Sequence, residues 1–182
     1  HKVPTDKFRK KLLAVEDVLS SLDNLIHRLF IYNPGIRIMF TISPVRHLRD
    51  GFIENNRSKA VLIQAVHHLV DKFANLFYFP SYELVIDDLR DYRFYAEDMV
   101  HPNYQATEYV WQKFVDACMD AGTLNVMKEI NMVNAARAHK PFQPQSEAHR
   151  KFRRQQFDTL LRLEQEYPFI NWQEDIEHFR DQ

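Results

Sequence analysis

Glycine and cysteine are scarce in this 182-residue chain, and long apolar runs are missing. A single cysteine cannot form an internal disulfide, and it cannot supply a cysteine-based zinc site. The three glycines, Gly35, Gly51 and Gly122, are too far apart for a dinucleotide-binding loop or a P-loop. No apolar run approaches the ~20 residues of a membrane span, and no signal peptide opens the chain. The chain starts at His1 instead of Met, so we expect a piece of a longer protein.

The charge of the chain is almost balanced, with 24 Lys and Arg residues against 25 Asp and Glu residues. This balance argues against a main role in coating nucleic acid or an anionic membrane. We therefore expect no nucleic-acid partner, no membrane partner and a cytoplasmic location. Hydrophobic residues make up 45% of the sequence, which is typical of a globular protein.

Hydrophobic periodicity predicts alternating helices and strands over the first two thirds of the chain. Apolar residues three or four apart predict a helix from Thr5 to Phe30, and Ser58 is a candidate N-cap for a second helix. Apolar and aromatic runs predict one strand from Ile36 to Ile42 and another from Phe77 to Ile86, the second broken by Pro80. This order of elements is typical of an α/β fold with a parallel sheet.

The strand signal ends before residue 123, so we divide the chain into an α/β part at residues 1–122 and a helical extension at residues 123–182. Proline-rich breaks separate the predicted helices of the extension. We expect no strand after Asn103. We also expect the extension to dock on the α/β part through five apolar side chains, namely Leu160, Leu161, Leu163, Phe169 and Trp172.

A possible catalytic pair follows the second predicted strand. Asp98 lies three residues before His101 in a loop that leads into the next predicted helix. A carboxylate at this spacing can fold back onto the imidazole, orient the ring and stabilise the imidazolium form. The loop would lie at the carboxyl edge of the sheet, where ligands bind in open α/β folds. A surface loop in which Asp98 caps the next turn explains the same spacing.

Two charged loops accompany this pair. Arg46 and His47 follow the first predicted strand, and Arg90 and Arg93 precede Asp98. We interpret these four residues as candidate substrate-binding side chains on one crevice. The alternatives are a surface loop with a helix-capping histidine at His47 and an ion-paired surface loop at Arg90 and Arg93.

Other chemistry has weaker support in the sequence. Ser43 lacks the GxSxG context of a nucleophile elbow, and Pro44 follows it directly. His67 and His68 are adjacent and face different ways on a helix, which does not favour a metal site. We therefore expect no metal and no organic cofactor. No serine of the chain is a good candidate for a nucleophile.

Four segments together resemble one protein family. They are SPVRH at residues 43–47, NNRSK at 55–59, YFPSYE at 78–83 and DLRDYRFYAEDMVHP at 88–102. These segments resemble the GSCFA-domain family, bacterial relatives of the SGNH or GDSL-type ester hydrolases, and the resemblance covers roughly residues 1–120. HKPF at residues 139–142 also looks like the tail of that family.

The resemblance implies a flavodoxin-like, SGNH-hydrolase-like three-layer α/β/α core, of which residues 1–122 form the C-terminal portion. It also implies that His101 is the catalytic histidine and Asp98 its partner. The family's serine lies in a Gly-Ser-Cys-Phe-Ala motif that this chain lacks. The resemblance implies that the chain is a fragment of a serine ester hydrolase, and that this enzyme acts on an acyl ester such as an acylated carbohydrate. We expect the chain alone to be inactive.

A strand from Ile36 to Ile42 would present an apolar edge that needs a neighbour. We therefore expect the missing N-terminal half, or another copy of the chain, to pair along it. The alternative to a hydrolase is a non-catalytic module of the same fold that binds a ligand or a protein. A hydrogen bond between Asp98 and His101, with the second ring nitrogen facing an open crevice, would favour the hydrolase.

Overall fold

The computed structural model describes residues 3–4, 7–8 and 10–180 and separates the chain into two units, 1–117 and 118–182. The described residues of the first unit form two strands and four α-helices, of which α4 ends one residue into the second unit. The helices are α1 at Val15–Tyr32, α2 at Phe52–Lys72, α3 at Ser81–Glu83 and α4 at Tyr104–Cys118, and the strands are β1 at Ile38–Phe40 and β2 at Leu76–Tyr78. A π-helical turn, Leu84–Leu89, continues α3 directly.

The core of the first unit lies between α1, α2 and the small sheet. The apolar stripe predicted for the first helix provides Ile26, which is buried with Leu69 of α2 and Leu76 of β2. The two strands are parallel, with Ile38 opposite Leu76 and Phe40 opposite Tyr78. Helix α2 therefore connects the two strands as a crossover helix, which is the connection that parallel pairing requires.

The prediction of a flavodoxin-like three-layer α/β/α core is wrong. The structure is 66% helical, and its described residues contain only the two short parallel strands. The predicted strand from Ile36 to Ile42 shortens to three residues. The second predicted strand stops at Tyr78, because Pro80 lacks a backbone N–H and the chain turns into helix from Ser81. Two strands cannot form the middle layer of such a core.

Two predicted helix starts also differ from the structure. Helix α1 begins at Val15, and residues 10–14 are not helical; the predicted start at Thr5 lies outside the described residues. Helix α2 begins at Phe52, six residues before the predicted cap at Ser58, and follows Gly51 at φ 88°. Glycine adopts this left-handed conformation without the steric cost that a side chain would add.

The second unit consists of three helices around its own core, and no strand occurs between residues 118 and 180, as predicted. The helices are α5 at Ala121–Ala138, α6 at Glu147–Glu166 and α7 at Gln173–Phe179. Leu160, Leu163 and Trp172 are buried together with apolar residues of α5 and α7. Leu161 and Phe169, which were also predicted to dock on the α/β part, are exposed. Of the helices that the structure describes, none has both the length and the apolar composition to cross a bilayer.

Candidate functional site

The loop that carries Asp98 and His101 is closed by backbone hydrogen bonds at its base. The N–H of Ala96 donates to the carbonyl of His101 at 2.8 Å, and the N–H of Asn103 donates to the carbonyl of Phe94 at 2.9 Å. Tyr95 and Pro102 form an antiparallel bridge between these bonds. The first turn of α4 follows immediately, with the Asn103 side chain accepting the N–H of Ala106 at 3.1 Å. The loop is therefore fixed at both ends.

Asp98 accepts three hydrogen bonds within this loop. Its Oδ1 accepts the backbone N–H groups of Val100 at 2.9 Å and His101 at 3.0 Å, and its Oδ2 lies 2.6 Å from His101 Nδ1. The backbone N–H of His101, its side chain and the N–H of Val100 lower the pKa of the Asp98 carboxyl to about 2. Asp98 is therefore a carboxylate at neutral pH, and this favours the tautomer with the proton on Nδ1.

His101 thus offers its other nitrogen, Nε2, for chemistry. The side chain is 61% exposed, and it lines an open groove in the surface of the first unit. Within residues 3–4, 7–8 and 10–180, no group donates a hydrogen bond to Nε2 or accepts one from it. A neutral imidazole in this tautomer carries an accepting lone pair on Nε2, so it is able to take a proton from a nucleophile placed in the groove.

The groove beside His101 is mainly apolar and has a volume of about 780 Å³. One wall is α4, whose Trp111 is 46% exposed, and β1 contributes Met39, which is 45% exposed. The remaining lining residues come from loops, α3, its π-helical turn and α4; they are Thr41, Pro44, Val45, Phe79, Ser81, Val85, Pro102, Ala106, Thr107, Val110 and Phe114. Large exposed apolar side chains beside a strand that has one strand partner among the described residues are typical of a surface that binds another group.

Two hydroxyl groups in the groove were not singled out by the sequence analysis. Ser81 is buried, and its Oγ donates to the carbonyl of Ile42 at 2.9 Å and lies 2.5 Å from Thr41 Oγ1. The same YFPSYE segment contains Tyr78, whose hydroxyl donates to Glu83 at 2.8 Å. Burial and this carboxylate both raise the pKa of Tyr78. Ser81 thus bonds the residues that follow β2 to those that follow β1, and the place of this segment in the family resemblance was the one sequence signal for it.

The four predicted substrate-binding residues do not converge on His101. Arg46 contacts the loop itself, since its Nη1 donates to the carbonyl of Met99 at 3.2 Å. His47 Nδ1 pairs with Asp50 at 3.0 Å, and Arg93 lies 4.9 Å from the ring of Phe94. Arg90 is exposed, with φ 54°, at the end of the π-helical turn. None of the four is in the lining of the groove.

No metal centre is formed by the part of the chain that the structure describes. Within it, three or more His, Cys, Asp or Glu side chains are nowhere grouped to hold an ion. The ring of His67 instead packs against Tyr78, with 4.5 Å between the ring centroids.

Two family models match the chain, one over each of two domains. Residues 1–114 match the GSCFA family, and residues 130–182 match the C-terminal domain of GSCFA domain proteins. The chain therefore belongs to the GSCFA family. Comparison with curated proteins gave no match, and comparison with solved structures gave none either.

Proposed function

We propose that this chain supplies the general base of a serine ester hydrolase related to the SGNH or GDSL-type enzymes. The observation that carries the proposal is the 2.6 Å contact between Asp98 and His101, together with the position of His101 in the lining of an open groove. The substrate is an acyl ester, and an acylated carbohydrate is the example that the family resemblance suggests. The reaction needs no metal and no organic cofactor.

In the proposed reaction, a serine hydroxyl attacks the ester carbonyl while Nε2 of His101 takes its proton. The charged imidazolium is stabilised by Asp98 through Nδ1–H. The carbon–oxygen bond of the ester then breaks, and the proton on Nε2 passes to the departing alkoxide. Water hydrolyses the acyl-serine by the same two proton transfers, which restores the serine and the neutral imidazole.

We propose that the serine comes from a polypeptide segment other than the described loops. Ser81 already donates its hydroxyl to the carbonyl of Ile42, and Ser43 lacks the context of a nucleophile elbow and is followed directly by Pro44. We propose that a strand from an N-terminal part of the same protein, or from another copy of the chain, pairs along the run from Ile36 to Ile42. Two features support this: β1 has β2 as its one strand partner among the described residues, and the apolar groove lies beside β1.

The test compares the full product of the gene with the 182-residue chain in hydrolysis of an aryl acetate. We expect hydrolysis by the full product, with His101→Ala reducing the rate by roughly 10⁴-fold or more and Asp98→Asn reducing it less. His47→Ala serves as a control that leaves the groove intact. Unchanged hydrolysis in His101→Ala would refute His101 as the general base, and a full product without hydrolysis would leave a ligand-binding module.

The strand proposal has a separate readout. Sedimentation should show that the 182-residue chain associates with itself or with an added N-terminal segment, while the chain alone gives no hydrolysis. A monomeric 182-residue chain with activity that depends on His101 would place the nucleophile within it, and Ser43 would become the first candidate. A role for Arg90 and Arg93 in substrate binding, and the cytoplasmic location, remain predictions.

A further inference from the structure

Arg46 lies in a different segment of the chain from Asp98 and His101 and donates hydrogen bonds to the loop between them. Its backbone N–H donates to the carbonyl of Val100 at 3.3 Å, and its Nη1 donates to the carbonyl of Met99 at 3.2 Å. Met99 and Val100 are the two residues between Asp98 and His101. Arg46 therefore contacts the backbone that sets the distance and angle between the two side chains of the pair.

The guanidinium of Arg46 is itself held in place. Its central carbon lies 4.3 Å from the ring centroid of Tyr95 and 5.6 Å from that of Tyr92. Tyr95 is buried, so it provides a fixed surface for this cation–π contact. With one face against tyrosine and one nitrogen bonded to a carbonyl, the side chain has lost much of the freedom that capture of a ligand would use.

Helix α2 anchors the segment that carries Arg46. Buried Asn55 accepts the backbone N–H of His47 at 2.8 Å, and Lys59 Nζ donates to the carbonyl of Ser43 at 2.5 Å. Partial burial lowers the pKa of Lys59. Three of the segments that carry the family resemblance are thus bonded to one another. Residues 55–59 bond to residues 43–47, and residues 43–47 bond to the loop of Asp98 and His101.

The loop has a physical need for such an anchor. Met99 adopts φ 59°, a left-handed conformation that costs roughly 1–2 kcal/mol for a residue with a side chain. This conformation turns the N–H groups of Val100 and His101 toward the carboxylate of Asp98. An exposed loop under strain relaxes unless contacts outside it maintain the conformation.

We propose that Arg46 is a positioning residue of the candidate pair, fixing the 98–101 loop through the carbonyl of Met99 so that Asp98 stays aimed at His101. The proposal replaces a direct role for Arg46 in binding substrate. The proposal rests on the proposed function in one respect, namely that Asp98 and His101 take part in a reaction.

The first experiment measures the pKa of Asp98 by carboxyl ¹³C NMR titration in the 182-residue chain, which needs no hydrolysis. The wild-type value should lie at about 2, and Arg46→Met should raise it toward the ordinary 3.8 because the N–H groups and the imidazole lose their alignment. Arg93→Met, which removes an arginine side chain that packs on Phe94 instead of bonding to the 98–101 loop, should leave the value unchanged. Amide spectra establish that each variant is folded.

Salt separates positioning from a simple loss of charge. At roughly 1 M NaCl the screening length is about 3 Å, so a through-space charge effect shrinks while a change of loop geometry persists. An unchanged Asp98 pKa in Arg46→Met, or a difference that vanishes at high salt, would overturn the proposal.

A second experiment uses the full gene product. Arg46→Met should lower kcat by up to about 10²-fold with little change in KM, as expected for misplacement of reacting groups. A raised KM with unchanged kcat would assign Arg46 to substrate binding and overturn positioning. If the wild-type protein does not hydrolyse esters, the proposed function fails, and the NMR titration still decides the role of Arg46.

Discussion

Replacement of Leu163 by alanine tests whether residues 118–182 are held together by their own core. Leu163 is fully buried among Val133, Leu160 and residues of α7, whereas Leu161 is 38% exposed. A buried Leu→Ala change typically costs about 2–5 kcal/mol, because apolar contact is lost and a cavity remains. Leu161→Ala is the matched control and should cost no more than about 1 kcal/mol.

The predicted loss is large for a unit of this size. At ~0.05–0.15 kcal/mol per residue, residues 118–182 have a total stability of about 3–10 kcal/mol. Leu163→Ala therefore removes a substantial fraction of it. With a typical urea dependence of ~1–3 kcal/mol per M, the unfolding midpoint should fall by about 1 M or more.

Tryptophan fluorescence gives a local readout. The chain contains two tryptophans, and Trp111→Phe leaves Trp172, which is 3% exposed in this core, as the single reporter. Both leucine variants are made in that background and unfolded in urea. Equal midpoints for Leu163→Ala and Leu161→Ala would refute the core that the structure assigns to this unit.

Three further outcomes are expected. Because the pKa of Asp98 is lower in the folded chain, ionised Asp98 stabilises the fold fully above about pH 4, and this stabilisation is lost as pH falls toward 2. The difference in unfolding free energy between wild type and Asp98→Asn should therefore shrink over this range, and a constant difference contradicts the prediction. Ser81→Ala leaves the Ile42 carbonyl without its 2.9 Å donor and should cost about 1–3 kcal/mol in urea unfolding, against little for exposed Ser43→Ala. Asn55→Ala should destabilise the chain more than Asn56→Ala, since Asn55 is buried and holds the His47 N–H, and equal midpoints count against that anchor.

The features that the sequence predicted correctly depend on residues close together in the chain. The helix at Glu147–Glu166 lies in the extension that was predicted to be helical, and apolar spacing and a capping serine, Ser146, define it locally. The contact between Asp98 and His101 is another local feature, since the two residues lie three positions apart in one loop and the carboxylate reaches the ring.

Other expectations failed because local pattern does not decide burial or sheet size. Leu161 and Leu163 are both apolar, yet only Leu163 meets the helices that face α6. The run from Phe77 to Ile86 has strand propensity, but only its first residues pair with β1, and the rest becomes helical after Pro80. Strand propensity expresses the fit of a side chain to a neighbouring strand, and here that neighbour spans three residues.

The surroundings of the candidate pair were decided by tertiary structure alone. Arg46 reaches Met99 across 53 positions, and Ser81 reaches Thr41 across 40. Neither contact is encoded in the spacing of nearby residues, because each depends on how α2 and the two strands bring distant loops together. The sequence by itself determined the pair of Asp98 and His101, whereas packing determined which side chains hold it, which groove it faces and why Arg46 contacts the loop.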